Sequence, residues 1–376
     1  MNRRSFLRGA AGSALSTAGL LAGGIWLFLQ TPRFGSLPAD ARLERIRKSP
    51  NFREGQFHNE LDTPMMTGDA SQFETMRKFA FNRSKRLKPL GPIPSVKRDL
   101  LHLPTGENVM VWFGHSSYFL QIEGQRILVD PVLSGRASPV SFTTKAFEGT
   151  DPYTVDDLPE IDILFLTHDH WDHLDYETVT RLRPRVKQVV CPLGVGAHLE
   201  RWGFSPVLIH EGDWGDTVSL PGGFAAHILP ARHFSGRTLR RNRTLWASYA
   251  LVTPTGFKAY LGGDSGYGPH FQRIGAQFGG FHLAILENGQ YDQAWKYIHM
   301  MPWETMQAAR DLNAMLVFPV HNSKFCISNH DWDAPLRSIT ALQHPNPPQL
   351  ITPLLGEVVP LSNPVPESTS WWSSVG

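Results

Sequence analysis

From Val109 onward, short apolar runs alternate with turn residues along the chain. Val109 to Phe113, Tyr118 to Ile122 and Ile127 to Val129 are rich in β-formers, and Glu123-Gly124 separates the second from the third. That pattern predicts an antiparallel meander with a tight hairpin turn. Apolar runs then alternate with helical patterns: Ile161 to Thr167 as strand, Tyr176 to Leu182 as helix, Val186 to Cys191 as strand, Val195 to Trp202 as helix. A second block repeats the plan. Strands are expected near Ala225 to Leu229, Trp246 to Val252, Phe257 to Leu261, Leu283 to Leu286 and Leu316 to Val320, with helices at Pro269 to Gln277 and Trp303 to Leu312. Two βα-rich halves, each with a meander, imply an α/β fold of four layers, helix on sheet on sheet on helix. Strand ends then converge at one edge of the sandwich, where a site is expected.

The pattern also divides the chain. Residues 1–35 open with three arginines in the first eight positions and carry no further charge until Arg33. A basic start followed by an apolar run reads as an export signal or a membrane anchor. Arg3-Arg4 followed by Phe6-Leu7 is similar to a twin-arginine signal. Gly9 to Leu29 is near the roughly 20 residues that span a bilayer, and Ala39-Asp40-Ala41 offers a distant cleavage site. Either outcome places the body outside the cytoplasm, in the periplasm or on the inner membrane. Residues 36–105 are polar, weakly periodic and rich in Arg, Lys and Pro, and read as an arm wrapped over a domain. Their basic groups, Arg42, Arg45, Arg47, Lys48, Lys85, Arg86 and Lys88, are expected on a solvated face, with anionic lipid as the alternative. Residues 106–360 form the domain proper and 361–376 a tail.

Composition narrows the partners. The chain has 376 residues, with 36 Lys+Arg against 34 Asp+Glu, a balance that excludes a dedicated nucleic-acid binder. Its 33 Gly and 29 Pro are scattered, which excludes solenoids and coiled coils. Two cysteines exclude a disulfide scaffold and a Cys-based metal cluster. Cys191 ends an apolar run and reads as a buried thiol rather than as half of a bridge to Cys326.

The chemistry is carried by histidine. Directly after the strand predicted at Ile161 to Leu166 comes Thr167-His168-Asp169-His170-Trp171-Asp172-His173. His168, His170, Asp172 and His173 make an H-x-H-x-D-H run on a turn. A loop is required, because residues two apart on a helix face different ways. Imidazole and carboxylate at this density suit borderline divalent metals such as zinc.

This run resembles that of the metallo-β-lactamase superfamily, and within it the branch of N-acyl-phosphatidylethanolamine-hydrolysing phospholipase D and related lactonase-like hydrolases. Gly114-His115-Ser116, Leu128-Val129-Asp130-Pro131, Ser134 to Pro139, Pro230-Ala231-Arg232-His233, Gly263-Asp264-Ser265-Gly266-Tyr267 and Pro319-Val320-His321 follow in the family's order. The resemblance implies a metallo-β-lactamase-like αββα sandwich. It also implies two divalent ions, Zn2+ or else Mn2+ or Fe2+. His168, His170 and His233 would hold one, Asp172, His173 and His321 the other, and Asp264 would bridge them. Asp130 would orient the histidine loop from behind.

The implied activity is that of a dinuclear hydrolase acting on a phospholipid phosphodiester, with a metal-bridging hydroxide attacking phosphorus. Asp172 and Asp264 would serve the nucleophile, and His299 would touch the reacting group. Alternatives on the same residues are a lactonase or other cyclic-ester hydrolase, and a non-catalytic metal-binding envelope protein. Two segments depart from the animal phospholipase and are expected to border the pocket: Asn322-Ser323-Lys324-Phe325 and Glu287-Asn288-Gly289-Gln290-Tyr291. Trp295, Trp303, Phe325 and Trp332 are expected to fill a core, or else to line an acyl groove.

Overall fold

The computed structural model describes residues 23–67, 77, 83–238, 240–343, 347–361 and 368–375. Most of the predicted signal or anchor, residues 1–22, lies outside these. Among the described residues no helix is long and apolar enough to cross a membrane.

Period-two alternation builds the layers. In the strand Gln125–Val129, Ile127 and Val129 join the central core while Leu128 joins an outer one. In Phe281–Glu287, Leu283 and Ile285 face the centre while Ala284 and Leu286 face out. Strands buried on both faces must be apolar on both faces, which is why these runs look continuous in sequence. One seven-stranded sheet runs Val358–Pro360, Val109–Trp112, Tyr118–Ile122, Gln125–Val129, Ile161–Phe165, Val186–Pro192, Ile209–Gly212. The other runs Gln349–Leu350, Ala314–Val320, Phe281–Glu287, Lys258–Leu261, Ser248–Val252, Ala225–Leu229, Thr217–Ser219. Each sheet is antiparallel in its meander and parallel beyond it. The two inner faces meet in one core that includes Trp112, Tyr118, Phe165, Tyr249 and Phe318. Each such side chain contributes roughly 1.5–3 kcal/mol by leaving water. Helices Tyr176–Leu182 and Gly196–Arg201 cover the first sheet; His270–Phe278, Pro302–Asp311 and Ala334–Thr340 cover the second. The four-layer expectation therefore holds.

The turn at Glu123-Gly124 has φ of +47° and +80°, the left-handed pair that a two-residue hairpin needs. Strands Ile209–Gly212, Thr217–Ser219, Gln349–Leu350 and Val358–Pro360 and helix Ala334–Thr340 were not expected from the sequence. All lie at the ends of the sheets or the outer layer.

The arm holds a helix, Asp40–Arg47, and a small hairpin, Phe52–Arg53 with Gln56–Phe57. Ile46 and Phe57 bury against Leu193 and Trp246. Arg45, Arg47, Lys48, Lys85 and Lys88 are exposed, as expected of a solvated face, but Arg42 and Arg86 are partly buried, and several of the basic groups are paired. Arg42 pairs with Glu200 at 2.6 Å and Glu211 at 2.8 Å, Arg45 with Glu211 at 2.7 Å, and Arg86 with Asp333 at 2.9 Å. The carboxylates that claim them come from the domain, far away in sequence. In the tail, Trp371 and Trp372 bury in the central core, and Trp371 lies 6.4 Å from Trp332. Cys191 and Cys326 are both free thiols, the first buried.

Candidate metal centre

Ten side chains gather at one end of the sandwich, because each lies at or just beyond the carboxyl end of a strand. Asp130 follows Gln125–Val129, and His168 and its loop follow Ile161–Phe165. His233, Asp264 and His321 follow Ala225–Leu229, Lys258–Leu261 and Ala314–Val320; His115 follows Val109–Trp112; Glu287 ends Phe281–Glu287. Ligands separated by up to 153 positions, His168 to His321, are thus brought together by topology alone. Asp264 needs its glycines: Gly263 sits at φ +60°, and a Cβ there would stand 2.7 Å from Thr167.

Two quartets form. His168, His170, His233 and Asp264 have ligand atoms mutually within 4.8 Å, as do His115, Asp172, His173 and His321. In the first, His170 Nδ1 lies 2.9 Å from His168 Nε2 and 3.2 Å from His233 Nε2. Asp264 Oδ2 lies 3.6 Å from His233 Nε2 and 3.9 Å from His168 Nε2. Beside them, His321 Nε2 is 3.2 Å from Asp264 Oδ2 and 3.3 Å from Asp172 Oδ2, and His173 Nε2 is 3.1 Å from Asp264 Oδ1. Asp264 therefore faces both groups, one oxygen to His173 and the other to His233 and His321.

The outer nitrogens decide what the inner ones do. Asp130, buried, accepts from Thr167 N–H at 2.8 Å, from the Thr167 hydroxyl at 2.5 Å and from His173 Nδ1–H at 2.8 Å. The same hydroxyl accepts from His168 Nδ1–H at 3.0 Å, and His233 Nδ1–H donates to Ile298 O at 2.9 Å. These contacts fix the rings so that Nε2 of His168, His173 and His233 points inward, in His168 and His233 as a lone pair. His173 Nε2 and Asp264 Oδ1 have no hydrogen-bond partner, though buried. Burial and the neighbouring imidazoles of His173 and His170 push His168 well below its usual range; burial does the same to His233. Burial opposes ionisation of Asp172 and Asp264, but His173 and the other imidazoles around them outweigh it and hold both carboxyls well below their usual range.

Burial works against a charge on His173, but Asp264 and Asp172 outweigh it and hold His173 well above its usual range, so the proton on His173 Nε2 that faces Asp264 is the one a cation would displace. The converging nitrogens of His168 and His233 and the ionised carboxylates fit divalent cations. Ligand atoms around a tetrahedral ion with bonds of about 2.0–2.1 Å stand about 3.3 Å apart, and the spacings above bracket that value.

Supporting residues missed in the sequence complete the centre. Asp169, buried inside the histidine loop, accepts from Gly236 N–H at 2.6 Å, Thr244 Oγ1 at 2.9 Å and His198 Nε2 at 3.2 Å. Burial would raise Asp169, but the His198 hydrogen bond and the nearby charges of His198, His170 and Arg237 hold it at about 2. Buried Arg237 donates to Asp169 O and Leu174 O and lies 4.0 Å over the Trp171 ring. His115 Nε2 donates to Asp172 Oδ2 at 2.9 Å, so it orients that carboxylate. The backbone joins the sheets here: His115 N–H donates to Asn322 O at 2.9 Å and His321 N–H to His115 O at 3.0 Å, with φ of +52° and +67° at the two histidines. The only advance signal for His115 was its place in the Gly114-His115-Ser116 motif.

His299 stands between the quartets, its ring 5.1 Å from both His233 and His321. The two departing segments divide. Glu287 reaches His299, whereas Lys324 turns away, buried, onto Phe113 O and Val132 O at 3.0 Å and Asp151 at 2.8 Å. Phe325 and Trp332 are core; Trp303 is more than half exposed and does neither job expected of it. Gly289 lies against the His321 backbone, where a Cβ would meet His321 O at 2.0 Å. Gly289→Ala is therefore expected to shift His321 and weaken cation binding about 10- to 100-fold, read by metal titration.

Residues 125–322, just over half of the chain, match the Beta-lactamase superfamily domain. An uncharacterised protein of Mycobacterium tuberculosis is 38% identical over 379 residues, covering 98% of this chain and 99% of that one. In the solved structure of Igni18, a metallo hydrolase of Ignicoccus hospitalis, the same fold recurs with a TM-score of 0.51 at 20% identity, covering 67% of this chain and 97% of that one. The chain belongs to the metallo-β-lactamase superfamily and is a metal-dependent hydrolase of it. Within that superfamily it resembles the N-acyl-phosphatidylethanolamine-hydrolysing branch: phospholipase D 1 of Caenorhabditis elegans is 30% identical over 243 residues, covering 61% of this chain and 67% of that one.

Proposed function

We propose that the protein hydrolyses a phosphodiester of a phospholipid, of the N-acyl-phosphatidylethanolamine type, at the outer face of the bacterial inner membrane. The observation that carries this reading is the pair of quartets sharing Asp264. His168, His170 and His233 would hold one divalent cation, Asp172, His173 and His321 a second, with Asp264 on both. Two cations so placed supply an activated water and neutralise charge on a phosphoryl oxygen. Asp172 Oδ2, oriented by His115, accepts and passes the water's proton. His299 keeps its side chain 12% exposed beside both quartets, placed to hold a proton for the departing alkoxide. The named relative's activity and the order of motifs support the lipid over a lactone.

The N-terminal segment supports an anchor over a removed signal. Phe34 packs on Trp171 of the histidine loop at 5.1 Å, Arg33 donates to Pro139 O at 2.6 Å, and Trp202 donates to Pro32 O at 2.7 Å. Cleavage at Ala39-Asp40-Ala41 would strip these contacts from behind the site. Ile25, Trp26 and Leu27, each more than half exposed, continue the apolar run that would enter lipid.

Metal-loaded protein is expected to convert N-acyl-phosphatidylethanolamine in vesicles to phosphatidate and N-acylethanolamine, read by mass spectrometry. Turnover of simple lactones with none of the lipid would move the assignment to the cyclic-ester reading. Full metal loading with no turnover of lipid, lactone or bis(p-nitrophenyl) phosphate would leave the non-catalytic one.

A further inference from the structure

We infer that Glu287 is a positioning residue for His299: its carboxylate fixes the imidazole with Nδ1–H turned inward and Nε2 left for the cleft. This rests on the hydrolase reading proposed above, in which Nε2 of His299 takes up a proton from solvent and gives it to the departing alkoxide.

Glu287 is the last residue of the strand Phe281–Glu287, and its side chain is fully buried. Its two oxygens divide their work. Oε2 accepts from His299 Nδ1–H at 2.6 Å, and Oε1 from Met300 N–H at 2.5 Å. Its backbone oxygen accepts from Thr305 Oγ1 at 3.0 Å, within the first turn of the helix Pro302–Asp311. The loop carrying His299 is thereby tied to a strand end at three points. His299 Nε2 has no hydrogen-bond partner among the described residues, and the ring stacks at 18° on His321.

Burial and the Asp264 carboxylate beside it push Glu287 well above the usual carboxylate range, so its ionised form depends on positive charge brought by cations in the two quartets. A neutral side chain would satisfy Met300 N–H at less cost. Oε2 also lies 3.5 Å from His321 Nδ1, but its short contact is the one to His299, where a donor held at Nδ1 commits Nε2 to the other face. A third cation among Asp264, Glu287, His299 and His321 is a weaker account of the cluster. The 2.6 Å contact is hydrogen-bond distance, whereas two ligands of one ion would stand about 3.3 Å apart.

The test uses the full chain, metal-loaded, with 15N-labelled histidine. Wild type is expected to show His299 as the Nδ1–H tautomer, assigned by its loss in His299→Ala. Glu287→Gln offers one oxygen to two donors. It is expected to keep its metal content and KM, to lose about 10- to 100-fold in kcat on N-acyl-phosphatidylethanolamine vesicles and much less on bis(p-nitrophenyl) phosphate, whose leaving group departs without a proton, and to switch the tautomer. Glu287→Asp should recover part of both. In the His299→Ala background, Glu287→Gln should cost nothing further in kcat. An unchanged tautomer and kcat in Glu287→Gln would overturn the inference, as would a metal content falling from three equivalents to two. The tautomer reads the same way should no substrate be turned over, so failure of the hydrolase reading and failure of this one are separable.

Discussion

Asp264→Ala protein should bind one equivalent of metal or none, where the wild type binds two, and its hydrolysis should fall on the order of 10³-fold or more. Among the described residues Asp264 is the carboxylate whose two oxygens face both quartets: Oδ1 at 3.1 Å from His173 Nε2, Oδ2 at 3.2 Å from His321 Nε2 and 3.6 Å from His233 Nε2. Without it each group keeps its histidines and loses its shared anion, so neither cation is fully neutralised. Elemental analysis of the purified variant decides the matter. Two equivalents retained would show that Asp264 does not bridge, and the dinuclear argument would fail with it. Asp264→Asn separates charge from shape: it keeps the volume and one acceptor, and is expected to retain at most the second group, which keeps the Asp172 carboxylate.

The second large effect lies one layer behind. Asp130→Ala removes a buried acceptor of three hydrogen bonds, two from Thr167 and one from His173. Leaving those donors unpaired in a dry interior costs about 3–5 kcal/mol, and thermal unfolding should drop by about 6–15 °C. Metal affinity should also fall about 10- to 100-fold, because nothing then fixes which nitrogen of His173 carries the proton. Asp130→Asn is expected to preserve most of the stability while keeping the loss of affinity, since its amide can present a donor to His173 Nδ1. Calorimetry and metal titration on the two variants distinguish the roles. Equal affinity in wild type and Asp130→Asn would show that His173 is oriented by something else.

The regular interior was legible in the sequence because it is long and buried on both faces. Runs such as Ile161 to Leu166 and Leu283 to Leu286 announce strands whatever surrounds them, and the histidine loop announces itself by density. Edge strands of two to four residues, such as Gln349–Leu350 and Thr217–Ser219, are too short to show a period, and their existence depends on a neighbour. Helix Asp40–Arg47 is mostly charged and buries a single residue, Ile46, so it carries no apolar stripe to read. In the site, the residues with motif partners beside them in sequence come together. Glu287 was legible only as part of a segment bordering the pocket and Asp169 not at all, because the first meets His299 only after a strand ends against a loop, and the second sits at the unmarked position of H-x-H. Arg42 looked solvated for the same reason: Glu200 and Glu211 reach it across more than 150 positions.

The backbone link between His115, His321 and Asn322 has a mechanical consequence. Elsewhere the two halves of the sandwich touch mainly through side chains, which slide, but at this end main chain grips main chain. Thermal breathing should therefore start at the opposite end, with the ligand end acting as the closed spine of a book. The cation cage is thereby the part of the sandwich that should keep its dimensions longest on heating.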